Sequence, residues 1–425
     1  MDSRRIPLTL ALFLAACVSG ANSAQSSGDS TDAQLVARAQ EIHSRVLTID
    51  THDDIPFDFA TRNVNPCEPL DRQVDIPKMR AGGLDAGFFI VYVGQTSRTP
   101  ENYAGAQQRA MTKFDAIHRM AESLCPEEIE IAYTADDVER INRSGKLVAA
   151  IGIENGFVIG RDLSLLAKYH ELGARYITLA HGGHNDIADS STPREQLGDE
   201  LEEHGGLSAF GEQVVAEMNR LAIFVDVSHI SKKASLHAAR VSRAPVIASH
   251  SSTTRWADVP RNMDDEQLRA VAATGGVVQM VALGNYVKVA RPERDEAVQA
   301  LREAMGITGG NRAVRELLPE RRAEYDRRLV EIDAQWPRPN VSDFVNHIDH
   351  AVSVIGIDHV GISSDFDGGG GIVGWNDASE TPNVTLELVR RGYTEEQIAK
   401  LWGQNLLRAW REMEGTARRI QAEVS

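Results

Sequence analysis

Five residues able to ligate a metal ion each stand where a short apolar run of this 425-residue chain stops. His52 and Asp54 follow Val46–Ile49, and Glu154 closes Leu147–Ile153. His229 closes Ala222–Ser228, and His250 closes Pro245–Ser249. One histidine at a strand end carries little information. Three histidines and two carboxylates at equivalent ends of separate buried strands can converge only if those strands run parallel. Their ligand mixture suits a borderline divalent cation such as zinc.

The rest of the chain agrees with parallel strands. Eight runs rich in Val and Ile are mostly separated by helix-like segments: Val46–Ile49, Ala86–Val93, Leu147–Ile153, Tyr176–Leu179, Ala222–Val227, Val246–Ala248, Gly276–Val281 and His359–Ser363. Runs apolar on both faces are the pattern of parallel strands covered by helices. Eight such units predict an α/β fold, a (β/α)8 TIM barrel. A doubly wound open sheet is the main rival, but it draws its site from fewer strands. The barrel is expected over residues 34–415, with a charged, helix-prone insertion over about 283–338 broken by Gly309-Gly310. A lid, a dimer surface and mere decoration all fit that insertion.

The amino terminus reads as a targeting segment. Arg4-Arg5 precede a short apolar core, Leu8–Ala16, too short to span a bilayer comfortably. Leu14-Ala15-Ala16-Cys17 looks like a bacterial lipoprotein signal, so residues 1–17 are expected to be the signal and Cys17 the lipidated residue. Val18 follows, where an Asp would favour retention at the inner membrane, so the expected address is the outer membrane, facing the periplasm. Residues 18–33 hold almost no large apolar side chain and read as a flexible tether. The net charge of -16, with no basic stripe, argues against a nucleic-acid partner. Cys67 and Cys125 remain as thiols in an oxidising compartment. A disulfide between them and two buried free thiols both fit.

Residues two apart in extended chain point the same way, so His52 and Asp54 can reach one ion. Glu154 has two oxygens and can bridge two cations. Asp365 lies just past the last strand, which a barrel places beside the first, so it can take a proton from an attacking water. Asp367 is its local competitor, in a Gly-rich turn context. His181 ends the fourth run and can polarise a carbonyl, while His184 is expected in the loop. Arg261 follows the sixth run and suits a substrate carboxylate, with Tyr286 a weaker candidate for the same group. The remaining histidines are assigned no chemistry.

The stretches Asp50–Asp54, Ile151–Glu154, Leu179–His181, Asp226–His229, Ala248–Ser251, Pro260–Asn262, Ser364–Gly368 and Asn405–Arg408 together resemble the membrane (renal) dipeptidase family, amidohydrolase-like metal-dependent hydrolases. The resemblance runs over about 40–412. It implies a barrel with two zinc ions per subunit: one on His52 and Asp54, one on His229 and His250, with Glu154 between them. It implies that His181 contacts the substrate carbonyl, Arg261 the carboxylate and Asp365 the bridging water. It also implies hydrolysis of dipeptides, including those ending in a D-residue, and a homodimer. Asp53 departs from the family's usual Asn, which adds a carboxylate beside the first zinc. A lactamase on the same centre and a lipid-anchored binding protein without catalysis are the rival readings.

Overall fold

The computed structural model describes residues 21–308, 313–314 and 317–424. Among these residues, nine strands form one sheet. They are β1 (Ile49–Asp54), β2 (Ala86–Tyr92), β3 (Ile129–Ile131), β4 (Leu147–Glu154), β5 (Ala174–Thr178), β6 (Phe224–Asp226), β7 (Ile247–Ser251), β8 (Val277–Val281) and β9 (Val360–Ser363). Eight follow the order β1-β2-β4-β5-β6-β7-β8-β9, and β3 pairs with β4 outside that path. Every pairing is parallel. The circuit closes where Asp54 N donates to Phe366 O at 2.8 Å, just past β9. The fold is the expected (β/α)8 barrel. The three-residue β3 was not anticipated, being too short to show a period.

Alternation decides which strand residues enter the barrel. Phe88 and Ile90 of β2 and Val148 and Ala150 of β4 share one buried cluster with Tyr176, Phe224 and Val277. Leu406, Leu407, Trp410 and Met413 of the last helix join that cluster, and the Trp410 ring lies 5.7 Å from Phe88. That helix, Asn405–Val424, runs on past residue 415. It plugs the end of the barrel where the strands begin, which leaves the opposite rim for chemistry. Counting on by twos, Glu154 falls on the same interior face.

The first strand was expected at Val46–Ile49 and begins only at Ile49, so the ligand motif lies within β1 rather than after it. Two of its polar residues, Asp50 and Thr51, are tolerated there because they are hydrogen-bonded to neighbouring strand ends. Thr51 Oγ1 donates to Ser249 O at 2.6 Å, and Asp50 Oδ1 accepts from Ser364 N at 3.0 Å. His250 likewise lies inside β7.

The first helix, Ala21–His43, starts within the segment read as a tether and packs through Ala39 and Ile42. Residues 1–17, with Cys17, lie outside the described residues. Among those described, no helix is long and apolar enough to cross a membrane. Cys67 and Cys125 are bonded, with Cα atoms 5.9 Å apart. The insertion contributes helices Gly284–Val287, Pro292–Ala304 and Pro319–Gln335, with a small core of Leu301, Ile307, Val314 and Tyr325.

Candidate metal centre

A cavity of about 270 Å³ opens on the strand-end rim, lined by Asp54, Glu154, His181, His229, His250 and Asp365, with Tyr92 and Tyr286 at its sides. His52 lies fully buried beneath it. His52 Nε2 stands 3.7 Å from Asp54 Oδ2, 3.7 Å from Glu154 Oε2 and 3.8 Å from Asp365 Oδ1. Glu154 Oε1 stands 2.9 Å from His229 Nε2, and 3.5 Å from both His250 Nε2 and His181 Nε2. One carboxylate thus turns one oxygen to His52 and the other to the remaining histidines. The Nε2 atoms of His229 and His250 are 2.8 Å apart.

Second contacts set which ring nitrogen faces the cavity. The Tyr176 hydroxyl donates to Thr51 O at 3.0 Å, which uses its only proton. It therefore accepts from His52 Nδ1 at 2.9 Å and leaves Nε2 pointing inward. Ser249 Oγ donates to Asp226 Oδ2 at 2.6 Å, so it accepts from His250 Nδ1 at 2.8 Å. Asp226 is itself fixed by Ser228 N at 3.0 Å and Ser249 N at 2.8 Å. Glycines make room for this. A Cβ on Gly152 would lie 2.2 Å from Tyr176 Cζ, and one on Gly368 would lie 2.3 Å from Asp54 Oδ2.

The ionisable groups of the cluster push one another far from their ordinary values. Burial opposes a proton on His52, yet Glu154, Asp54 and Asp365 outweigh it and hold the ring well above its ordinary pKa. Burial would raise Glu154, but the histidines around it hold it well below the carboxylate range. Burial, reinforced by Asp54 and Glu154, pushes Asp365 well up. Burial pushes His229 and His250 well down, so both are neutral. Desolvating each ion costs several kcal/mol, and a cation among these carboxyl groups would offset the crowding that pushes Asp365 up while its neighbours stay charged.

The donor set fits a metal. His52 Nε2 is buried with no hydrogen-bond partner. Its separations from the carboxylates are too long for hydrogen bonds, whereas donors sharing one tetrahedral zinc stand about 3.3 Å apart by the usual bond lengths. Ligand atoms of His52, Glu154 and His250, of Glu154, His181 and His229, and of His52, Asp54 and Asp365 lie within 4.8 Å of one another in each group.

Arg261 is buried, donating from Nη2 to His250 O at 3.0 Å and from Nη1 to Ser251 Oγ at 3.4 Å. Its Nε has no partner among the described residues. The Tyr286 ring covers the guanidinium at 5.2 Å. Burial, with help from Arg261 and Arg194, lowers His181, whose Nδ1 is also unpartnered. His184 lies in the loop, with Nε2 bonded to Glu200 O at 2.9 Å. Asp367 holds Gln73 N at 3.2 Å and faces Arg72 Nε at 3.3 Å, a loop-fixing role. His229, Asp365 and Asp367 have φ of 66°, 59° and 61°, so part of the rim is held in left-handed backbone.

One expectation is corrected. Asp53 was placed beside the first zinc, but it packs on the other face of β1. A Cβ on Gly87 would meet its Oδ2 at 2.5 Å, with Met79 Cε next to it. Burial and then Asp50 raise its pKa well above the ordinary carboxylate value. The residues that sequence reasoning missed are Tyr176, Ser249, Gly152 and Gly368. Only the glycine run after Asp367 carried a signal.

The comparisons with known proteins follow this geometry. A family model described as membrane dipeptidase (peptidase family M19) matches residues 36–424. Dipeptidase tcpJ of Claviceps purpurea (strain 20.1) is 32% identical over 367 residues, covering 85% of this chain and 74% of that protein. The crystal structure of the probable dipeptidase PvdM from Pseudomonas aeruginosa aligns with TM-score 0.79 and 34% identity over 90% of this chain and 99% of the other. A metallo peptidase from Rhodobacter sphaeroides, 22% identical with TM-score 0.67 over 87% and 99% of the two chains, shares the fold. With a barrel rim carrying this ligand set and a match across nearly the whole described chain, the protein belongs to the membrane dipeptidase family, peptidase family M19.

Proposed function

We propose that this dipeptidase works with two zinc ions, one held by His52 and Asp54, the other by His229 and His250, with Glu154 between them. The observation that carries this reading is the split of Glu154, Oε1 to His229 at 2.9 Å and Oε2 towards His52 at 3.7 Å. Bound there, the cations would polarise the scissile carbonyl and acidify a water for attack. The chain's own residues do the rest. Arg261 takes the substrate carboxylate, which measures length from the chain end and favours dipeptides. Tyr286 covers that guanidinium and bounds the carboxylate's place. His181, neutral, offers an N–H to the carbonyl oxygen as charge develops on it. Asp365 accepts the proton of the attacking water and delivers it to the leaving nitrogen.

The family resemblance extends the reading to dipeptides ending in a D-residue and to a homodimer. The N-terminal sequence supports lipidation of Cys17 and an outer-membrane site facing the periplasm. A Cys17→Ala chain recovered with the soluble fraction would support the anchor, and one still in the membrane would reject it.

The test of function is turnover of L-Ala-D-Ala and L-Ala-L-Ala by metal-free protein titrated with zinc. Activity is expected to reach its plateau at two ions per chain, and Asp365→Asn is expected to lower kcat by about 10²–10⁴ with little change in KM. A plateau at one ion would reject the binuclear centre. Inactivity towards every dipeptide at saturating metal would reject the enzyme and favour a binding protein.

A further inference from the structure

The short helix Gly284–Val287, which carries Tyr286, contributes residues to two cavities. Tyr286, with Leu283 and Gly368, lines the metal pocket. Gly284 and Asn285 line a second cavity of about 150 Å³. The insertion builds most of that second cavity, and nothing in the hydrolytic reading uses it.

Its two halves differ in chemistry. Val289, Trp336, Pro337, Pro339 and Ile372 form an apolar wall. A space of this size takes about one benzene ring. Lys288, Arg291, Arg294 and Arg338 supply the polar wall, with Asp295. Arg294 and Arg338 share one carboxylate, Asp333, at 2.7 and 3.0 Å. Lys288 reaches Asp343 only at 3.5 Å. The Arg291 guanidinium, on an exposed residue at the cavity mouth, has no hydrogen bond or ion pair among the described residues and is free to engage a ligand from solvent. Four cations thus meet three carboxylates, a local positive excess in a chain of net charge -16.

We propose that this cavity binds a small organic acid made of one aromatic ring and one carboxylate, the ring against Trp336 and the carboxylate on Arg291. Ring size matches the volume, the apolar wall desolvates the ring, and an unpaired guanidinium is the group that a carboxylate engages bidentately. Both an aromatic amino acid released by dipeptide hydrolysis and an acid without an amine have this chemistry.

Calorimetric titration of the zinc-loaded full chain with 3-phenylpropanoate tests the site, and heat, not turnover, is the readout. Saturable binding is expected, at least tenfold weaker for 3-phenylpropanamide and for the Arg291→Ala chain, whose dipeptidase activity stays intact. Arg261→Ala controls for entry into the metal pocket and is expected to keep the binding. No saturable heat, equal binding of the amide, or binding lost with Arg261→Ala and kept by Arg291→Ala would overturn the proposal. L-Phenylalanine binding as tightly as 3-phenylpropanoate would support the site with a hydrolysis product as occupant. Binding by 3-phenylpropanoate alone would support it with an acid lacking the amine.

Discussion

His52 donates its Nδ1 proton to the Tyr176 hydroxyl 2.9 Å away, across 124 residues of chain. That bond holds the ring with Nε2 towards Asp54, Glu154 and Asp365. Tyr176→Phe keeps the ring and removes the acceptor. Loss of such a partner lowers metal affinity by about 10–100-fold. Competition against a chromophoric zinc chelator measures it, with kcat at saturating zinc expected to stay within a few-fold. Unchanged affinity would show that the hydroxyl does not orient the ligand.

Arg261 is the one buried guanidinium beside the catalytic cavity whose Nε is left without a partner among the described residues. A hydrogen bond to a charged group contributes about 1.5–3 kcal/mol, so Arg261→Ala is expected to raise KM for a dipeptide by about 10–150-fold. The C-terminal amide of the same dipeptide should be insensitive to the change. Steady-state kinetics on the two substrates decide, and an equal loss on both would refute carboxylate recognition.

Removing metal should make stability depend on pH in a stated direction. His52 is raised in the folded chain, so its contribution is complete below its ordinary value of about 6.5 and is lost as pH climbs through the raised value. Asp365, also raised, acts in the same sense from the ordinary carboxylate range upward. His229 and His250 are lowered, so they favour unfolding only below about 6.5, where the unfolded chain protonates them. Above pH 7 the metal-free protein is expected to lose Tm with rising pH while the zinc-loaded protein does not. Parallel thermal melts from pH 7 to 9 check this, and a constant gap between the two forms would contradict it.

The Cys67–Cys125 bond closes a separation of 58 residues. It restrains the loop whose Gln73 accepts from Asp367 N at 2.7 Å and so steadies the rim beside Asp365. Its removal is expected to cost about 2–5 kcal/mol. Reductant should lower the urea midpoint of the natural chain and leave the Cys67→Ser, Cys125→Ser double variant unaffected. A midpoint insensitive to reductant in both would show that the bond contributes nothing.

Much of this site is legible because a parallel barrel gathers every strand end on one rim. His52, Asp54, Glu154, His229, His250 and Asp365 could be named from where the apolar runs stop, and the structure brings them around one cavity. Asp53 was misplaced because its neighbours in sequence are the expected ligands, whereas strand alternation turns it to the far face, against Gly87 and Met79. The start of β1 was misplaced for a related reason. Polar residues look like loop until their partners, Ser249 and Ser364, arrive from other strands.

The amino-acid order by itself determined the barrel and which residue types stand at its strand ends, since hydrophobic periodicity and residue chemistry are local properties. Only the tertiary structure decided which nitrogen His52 and His250 present, that Gly152 and Gly368 must lack side chains, and that the insertion lines a second cavity rich in cationic side chains. Those outcomes depend on atoms brought within a few ångströms from positions far apart in the chain, and no local pattern records such distances.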